Sequence, residues 1–213
     1  IHTIKTNLST TVSRFMATLN GKSHPPGRIK IVAALKSLMK QKEFNAITTA
    51  EIARHAGVTE ALIYKYFKDK RDLLHQVLSE FIEDYHNRTI NDLRGIKGAV
   101  NKIRKLIWTH FHVYSTNRVF ARILLIEVRT HQEFFNSEAY NLVRNYSNIL
   151  ISIIEEGIRD GELRDDIPAK TIRQSILGSI EHICLTRVVF GREILSDELT
   201  EELCSFIFSG IQK

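Results

Sequence analysis

Residues 48–67, TTAEIARHAGVTEALIYKYF, leave little choice of local structure. Thr48-Thr49-Ala50-Glu51 reads as a capping box, in which the Thr48 hydroxyl and the Glu51 carboxylate each satisfy a backbone N–H that the first helical turn leaves without a partner. The short helix over Thr48–His55 stops at Ala56-Gly57-Val58, where Gly57 takes a positive φ without a Cβ clash. Thr59 then caps a second short helix, Glu60 to about Phe67. Two helices joined by a three- or four-residue turn containing Gly form a helix-turn-helix. Ala53 is small where the helices cross, and Ile52, Val58 and Ile63 fill the wedge between them. A helix of about eight residues is roughly 12 Å long, and the DNA major groove is about 12 Å wide.

The flanking segments are helical too. Ile31, Val32, Leu35, Leu38 and Met39 stripe one face of a helix from Arg28 to about Lys42. Asp69 caps a fourth helix, with Asp72 at the reciprocal position, and Leu73, Leu74, Val77, Leu78, Phe81, Ile82 and Tyr85 carry it toward Leu93. Further helices are expected over about 99–116, 118–131, 137–160, 168–191 and 196–211, with Asp160-Gly161 and Asp165-Asp166-Ile167-Pro168 as the main late break. Three prolines and ten glycines in 213 residues suit long helices on short connections, and no alternating strand pattern appears. Residues 1–20 space Leu8, Val12, Phe15, Met16 and Leu19 as an extra helix or basic arm, and Asn20–Gly27 is a linker. The expected division is an extension over 1–24, a three-helix head over 25–85 and a larger helical domain over 86–213.

Charge is unevenly spread. Residues 21–75 carry 11 basic and 5 acidic side chains, whereas 76–213 carry 17 basic and 19 acidic, and no acid precedes Glu43. A basic segment beside a near-neutral remainder points to a polyanion at one end only. No apolar run approaches the ~18 residues of a membrane span, and residues 1–20 lack a signal peptide's apolar core. Cys184 and Cys204 make no disulfide framework and suit a reducing compartment. A cytoplasmic location with no membrane partner is expected.

Gly57-Val58-Thr59-Glu60-Ala61-Leu62-Ile63-Tyr64-Lys65-Tyr66-Phe67-Lys68-Asp69-Lys70-Arg71-Asp72-Leu73 resembles the signature of the TetR/AcrR transcriptional regulators, and the likeness covers about residues 25–85. The resemblance implies an all-α fold: an N-terminal helix-turn-helix DNA-binding domain, then a larger helical ligand-binding and dimerisation domain. It implies that Arg28, Thr48, Thr49, Thr59, Tyr64 and Lys70 approach operator DNA, with Lys70 gripping a phosphate, while Glu60, Ala61, Leu62 and Lys65 face the groove. Many members carry a small hydroxyl residue in place of Leu62 and a non-acidic one in place of Glu60. Leu62 suits a thymine methyl; Glu60 either accepts from cytosine N4 or points away from phosphate. Thr59 has two readings, a phosphate contact or a cap only. Tyr66 and Phe67 are expected in the core.

Beyond residue 85 no phosphate loop, nucleophile elbow or carboxylate pair suggests catalysis, and no cofactor is expected. His110 and His112 are two apart and diverge on a helix, so no metal site is expected. The resemblance implies an effector pocket and a homodimer interface. The aromatic stripes offer Phe111, Tyr114, Phe120, Leu124 and Tyr146 to a ligand. Ile126-Glu127-Val128-Arg129, Glu155–Gly161 and Gly178–His182 are similar to the fatty-acid-responsive branch, which binds long-chain acyl-CoA. Arg129 either holds an anionic head or pairs with Glu127 or Glu133. Ile172, Ile176, Ser179 and Ile183 on one helix, and Leu203, Phe206 and Ile207 on another, read as a dimer surface. The cysteines read as small buried side chains rather than thiol sensors. The resulting function is a dimeric, ligand-released repressor on a pseudo-palindromic operator, responsive to an acyl-CoA or another hydrophobic molecule. Two alternatives are a ligand-binding adaptor with a basic protein-interaction head, whose operator binding would ignore salt, and a small helical enzyme, whose turnover would survive loss of residues 1–75.

Overall fold

Proline sets the first helix. In the computed structural model, which describes residues 24–212, α1 spans Pro26–Leu38 with Pro26 in its first turn, where a missing N–H costs nothing. The expected helix in 1–20 and most of the linker lie outside the described residues. α1 stops short of Lys42, and past Leu38 the Lys40 and Gln41 amides bond the carbonyls three residues back, as in tight turns. A 3-10 turn, Phe44–Ala46, leads into α2, Thr49–Ala56.

Half of the expected capping box forms. The Thr48 hydroxyl accepts from the Glu51 N–H at 3.1 Å, but the Glu51 carboxylate takes the Lys42 ammonium at 2.6 Å instead of reaching back. Gly57 is left-handed (φ 65°), and the Val58 N–H to Ala53 carbonyl and Gly57 N–H to Arg54 carbonyl bonds close a Schellman motif. α3 follows as Glu60–Tyr66. Thr59 occupies its N-cap position, yet its hydroxyl makes no cap bond, so that part of the expectation fails. Asp69 caps α4, Lys70–Leu93, by accepting from the Arg71 and Asp72 amides, while Asp72 accepts from the Lys68 amide. Ile31, Leu35, Ile52, Ile63, Leu73 and Leu74 are fully buried and form the core of the head.

α4 serves both parts of the chain. Its start closes the head against α1, and its later turns pack against α5 (Ala99–Thr116) and α8 (Glu138–Arg159). The helix expected over 118–131 is broken. α6 covers only Arg118–Arg122, capped by the Asn117 side chain, and then widens into a π-helical turn, Ile123–Glu127, where the Val128 amide bonds the Ile123 carbonyl. The Arg129 side chain takes the Leu124 carbonyl at 2.9 Å, which draws that carbonyl out of an ordinary helical ladder. A short α7, Gln132–Phe135, precedes α8.

α9 (Ala169–Val189) and α10 (Ser196–Ile211) complete the fold, α9 on α8 and α5, α10 mainly on α5. α5 and α8 cross closely at Gly157, where an added Cβ would stand 2.5 Å from the Ala99 Cβ. No strand occurs among the described residues, only an isolated bridge between Leu163 and Gln212. No described helix is long and apolar enough to cross a membrane.

Candidate nucleic-acid interface and ligand cavity

α3 sinks Ile63 and the following Phe67 into the head and turns Glu60, Ala61, Tyr64 and Lys65 outward. Tyr64 is 55% exposed, unusual for a tyrosine without a partner on its ring. On the adjoining start of α2, the Thr49 hydroxyl donates to the Glu60 carboxylate, and the Tyr64 hydroxyl lies 3.5 Å from Thr49 Oγ1. Glu60 therefore neither points away nor stands free: a hydroxyl of the neighbouring helix holds it.

Four further expected contact residues make contacts within the head. Leu62 is half-buried against α1, with its Cδ2 2.9 Å from where a Gly27 Cβ would stand, because it lies on the flank of α3 nearer the core. The Lys70 ammonium donates to the Phe44 and Ile47 carbonyls at 2.9 and 2.7 Å and sits over the Phe44 ring; burial lowers its pKa. It staples the α1–α2 connection. The Thr48 hydroxyl accepts its cap bond, which leaves its O–H as a donor. Arg28 lies over the Phe67 ring, 5.3 Å from its centre.

A cavity of about 50 Å³ lies among the helices of the second part, lined by Tyr85, His110, Tyr114, Phe120, Leu124 and Tyr146, with Glu181. Four of these, Tyr114, Phe120, Leu124 and Tyr146, match the sequence expectation. Phe111 does not join them: it is fully buried one helical step round α5 from His110 and Tyr114. Tyr146 donates to the Tyr85 hydroxyl at 2.8 Å, and burial raises the pKa of both phenols and of Tyr114. His110 is held below its ordinary pKa by burial, and its Nδ1 lies 2.8 Å from the Leu106 carbonyl. Since a carbonyl only accepts, Nδ1 carries the proton.

Arg129 pairs with Glu181 of α9 in a two-pronged bridge of 2.8 and 2.7 Å, not with Glu127 or Glu133 as the sequence suggested. Glu127 instead shares its surroundings with Arg122, Arg71 and Lys70, and desolvation raises its pKa. Tyr85, His110 and Glu181 were missed in the sequence. For His110 a signal existed: it is four residues before Tyr114, hence on the same helical face.

The expected dimer surface is divided. Ile172, Ile176 and Ile207 are buried within their own chain, a correction that follows from α9 and α10 turning these faces onto α8 and α5, while Leu203, also buried, lines the groove between α9 and α10. Ser179, Ile183 and Phe206 line an open groove of about 470 Å³ between α9 and α10, with Gly178 and His182. Phe206 is 75% exposed, and Leu185 and Val189 extend the same face of α9. Cys184 and Cys204 are buried, which pushes their thiols up to about 12 and about 11, far from a reactive thiolate.

The profile of bacterial regulatory proteins of the tetR family matches residues 31–77, and that of the YsiA-like protein C-terminal region matches residues 74–210. The chain belongs to the TetR family. It is a transcriptional regulator of the kind its relatives represent. The fatty acid metabolism regulator protein of Bacillus subtilis is 26% identical over 190 residues, 89% of this chain and 98% of that one. The crystal structure of the transcriptional regulator FadR from Bacillus subtilis in complex with stearoyl-CoA superimposes with a TM-score of 0.78 at 26% identity, over 86% of this chain and 99% of that one. The fatty acid degradation regulator FadR from Bacillus halodurans shares the fold at TM-score 0.77 and 19% identity, over 87% and 96%.

One joint between head and cavity in this TetR-family chain had no sequence signal. Arg122, last residue of α6, donates to the Met39 and Lys42 carbonyls at the end of α1 (2.6 and 2.8 Å) and to Glu43 at 2.9 Å. The next residues form the π-helical turn, whose Leu124 lines the cavity. π-Helical turns recur at functional sites because they break the regular ladder. A basic residue following an apolar helix is too common for its long-range partners to be read from the chain.

Proposed function

We propose that this TetR-family chain is a homodimeric repressor that an acyl-CoA releases from its operator in the cytoplasm. The observation that carries the reading is the outward face of α3, with Glu60, Ala61, Tyr64 and Lys65 exposed on a helix whose opposite side is sunk into the head. Seven residues give about 10 Å of helix, which fits a major groove. In the dimer, α9 and α10 pair with their symmetry mates in an isologous four-helix bundle through Ser175, Gly178, Ser179, Leu185, Val189 and Phe206. That sets two recognition helices toward the half-sites of a pseudo-palindromic operator.

The effector reading draws support from the stearoyl-CoA complex of the similar Bacillus subtilis regulator. The cavity of about 50 Å³ accommodates a water or two, not an acyl chain. Acyl-CoA therefore binds an arrangement with α5, α8 and α9 further apart, and this difference between states is the source of its leverage. Arg129, drawn from Glu181, meets the anionic head. The π-helical turn moves with the cavity wall and Arg122 moves with it, so the end of α1 and the recognition helix are carried off register. A gel-shift titration tests the DNA half of this reading: Tyr64→Ala weakens specific operator binding at least tenfold while acyl-CoA binding persists. Unchanged operator affinity refutes it.

A further inference from the structure

Resting on that reading of the cavity, we infer that the preferred effector is an acyl thioester bearing a hydroxyl on its chain, held between Tyr114 and His110. Tyr114 is 3% and His110 7% exposed, and both line the cavity. Among the described residues the Tyr114 hydroxyl has no hydrogen-bond partner; its ring contacts are with His110 and Phe120. His110 commits its Nδ1 proton to the Leu106 carbonyl, so Nε2 is left with a lone pair, for which the described residues offer no donor. Burial keeps the ring neutral. The two rings stand nearly perpendicular with centres 6.4 Å apart, and both residues line the same cavity.

A hydroxyl is the group that uses both. Its oxygen accepts from Tyr114, and its own proton goes to Nε2. A saturated chain uses neither, and it displaces any water that serves them without replacing that water's bonds. Of the nearby polar groups, Tyr146 donates to Tyr85, and Glu181 takes both prongs of Arg129 until the acyl-CoA head draws Arg129 away. Leaving a buried donor or acceptor unmet costs about 1–3 kcal/mol, roughly 5–150-fold in affinity, for each group. The remaining lining is Ser147, whose hydroxyl donates to the Arg144 carbonyl, and the apolar Ile82, Phe120, Leu124, Val143, Leu177 and Ile180, which take the hydrocarbon on either side.

The test is isothermal titration of the full chain with palmitoyl-CoA, 3-hydroxypalmitoyl-CoA, 12-hydroxypalmitoyl-CoA and 16-hydroxypalmitoyl-CoA. At least one hydroxylated thioester is expected to bind about tenfold or more tighter than palmitoyl-CoA, and Tyr114→Phe to collapse that ratio to within about twofold. Equal or weaker binding of all three hydroxylated compounds, with palmitoyl-CoA still bound, overturns the hydroxyl assignment and leaves the acyl-CoA reading standing. Failure of all four to bind overturns both. Persistence of the preference in Tyr114→Phe overturns the placement; His110→Leu, which keeps bulk and removes the acceptor, is the second variant and is expected to lose the preference as well.

Discussion

Replacing Arg122 with methionine separates the two parts of the molecule at one joint while keeping an unbranched apolar stem in place. Three interactions are lost, and they are unequal. Glu43 has a side chain 70% exposed, so its ion pair with Arg122 contributes almost nothing once water and salt screen it. The bonds to the Met39 and Lys42 carbonyls matter more, because the Arg122 side chain is only 20% exposed and a charged donor to a carbonyl contributes about 1.5–3 kcal/mol. Water can reach the Lys42 end and restore part of this, so a net loss of about 2 kcal/mol at the joint is expected. Effector coupling across a protein of this kind is typically about 1–3 kcal/mol, or roughly 5–150-fold in operator affinity. If the joint carries most of it, palmitoyl-CoA should change the operator affinity of Arg122→Met by no more than about threefold. The assay is fluorescence anisotropy of labelled operator with and without saturating palmitoyl-CoA. Glu43→Gln, which removes only the exposed pair, should behave as the parent chain does. An undiminished effector response in Arg122→Met, in protein that binds palmitoyl-CoA normally, would refute the joint as the carrier.

Other outcomes follow from the packing. Gly57→Ala meets no atom within 4 Å, so only its φ of +65° opposes it, and urea unfolding should show a loss of about 1–2 kcal/mol. Gly157→Ala should also destabilise: helix propensity favours alanine by about 1 kcal/mol, but the Ala99 Cβ cannot rotate out of the way and overpacking costs about 1–3. Thermal unfolding decides which term wins. Phe206→Asp places a charge on the exposed groove face and should shift sedimentation toward the monomer with little change in protomer secondary structure. Ile176→Ala should do the reverse, losing about 2–5 kcal/mol of stability from the interior of one chain.

Local chemistry was legible in the sequence; long-range pairing was not. The Gly57 turn, the Asp69 cap and the starts of most helices follow from neighbours a few residues apart, and these formed as read. Periodicity identified Ile172, Ile176, Leu203 and Ile207 as apolar, but an apolar stripe does not say whether its neighbour is another helix of the same chain or a second copy. The small and exposed residues on the opposite side of α9 carry that information only once α8 and α5 have claimed the first stripe. Arg129, Lys70 and Arg122 failed to be read for a different reason. Long basic side chains choose carbonyls and carboxylates far along the chain, 83 residues away for Arg122, and no local pattern names the partner. The π-helical turn, with its Leu124 carbonyl taken by Arg129, left no mark in the apolar spacing of 118–131. Leu62 was placed on the groove face by its position in the signature, and the close approach of Gly27 draws it inward.

The claim that ligand and DNA oppose one another through this fold is tested most directly by measuring both halves of one thermodynamic cycle. Palmitoyl-CoA is titrated into the free dimer and into the dimer saturated with operator, and operator affinity is measured with and without palmitoyl-CoA. Linkage requires that the two affinities fall by the same factor, and a common factor between about 5 and 150 is predicted. Palmitoyl-CoA that binds equally well in the presence and absence of operator would contradict the account.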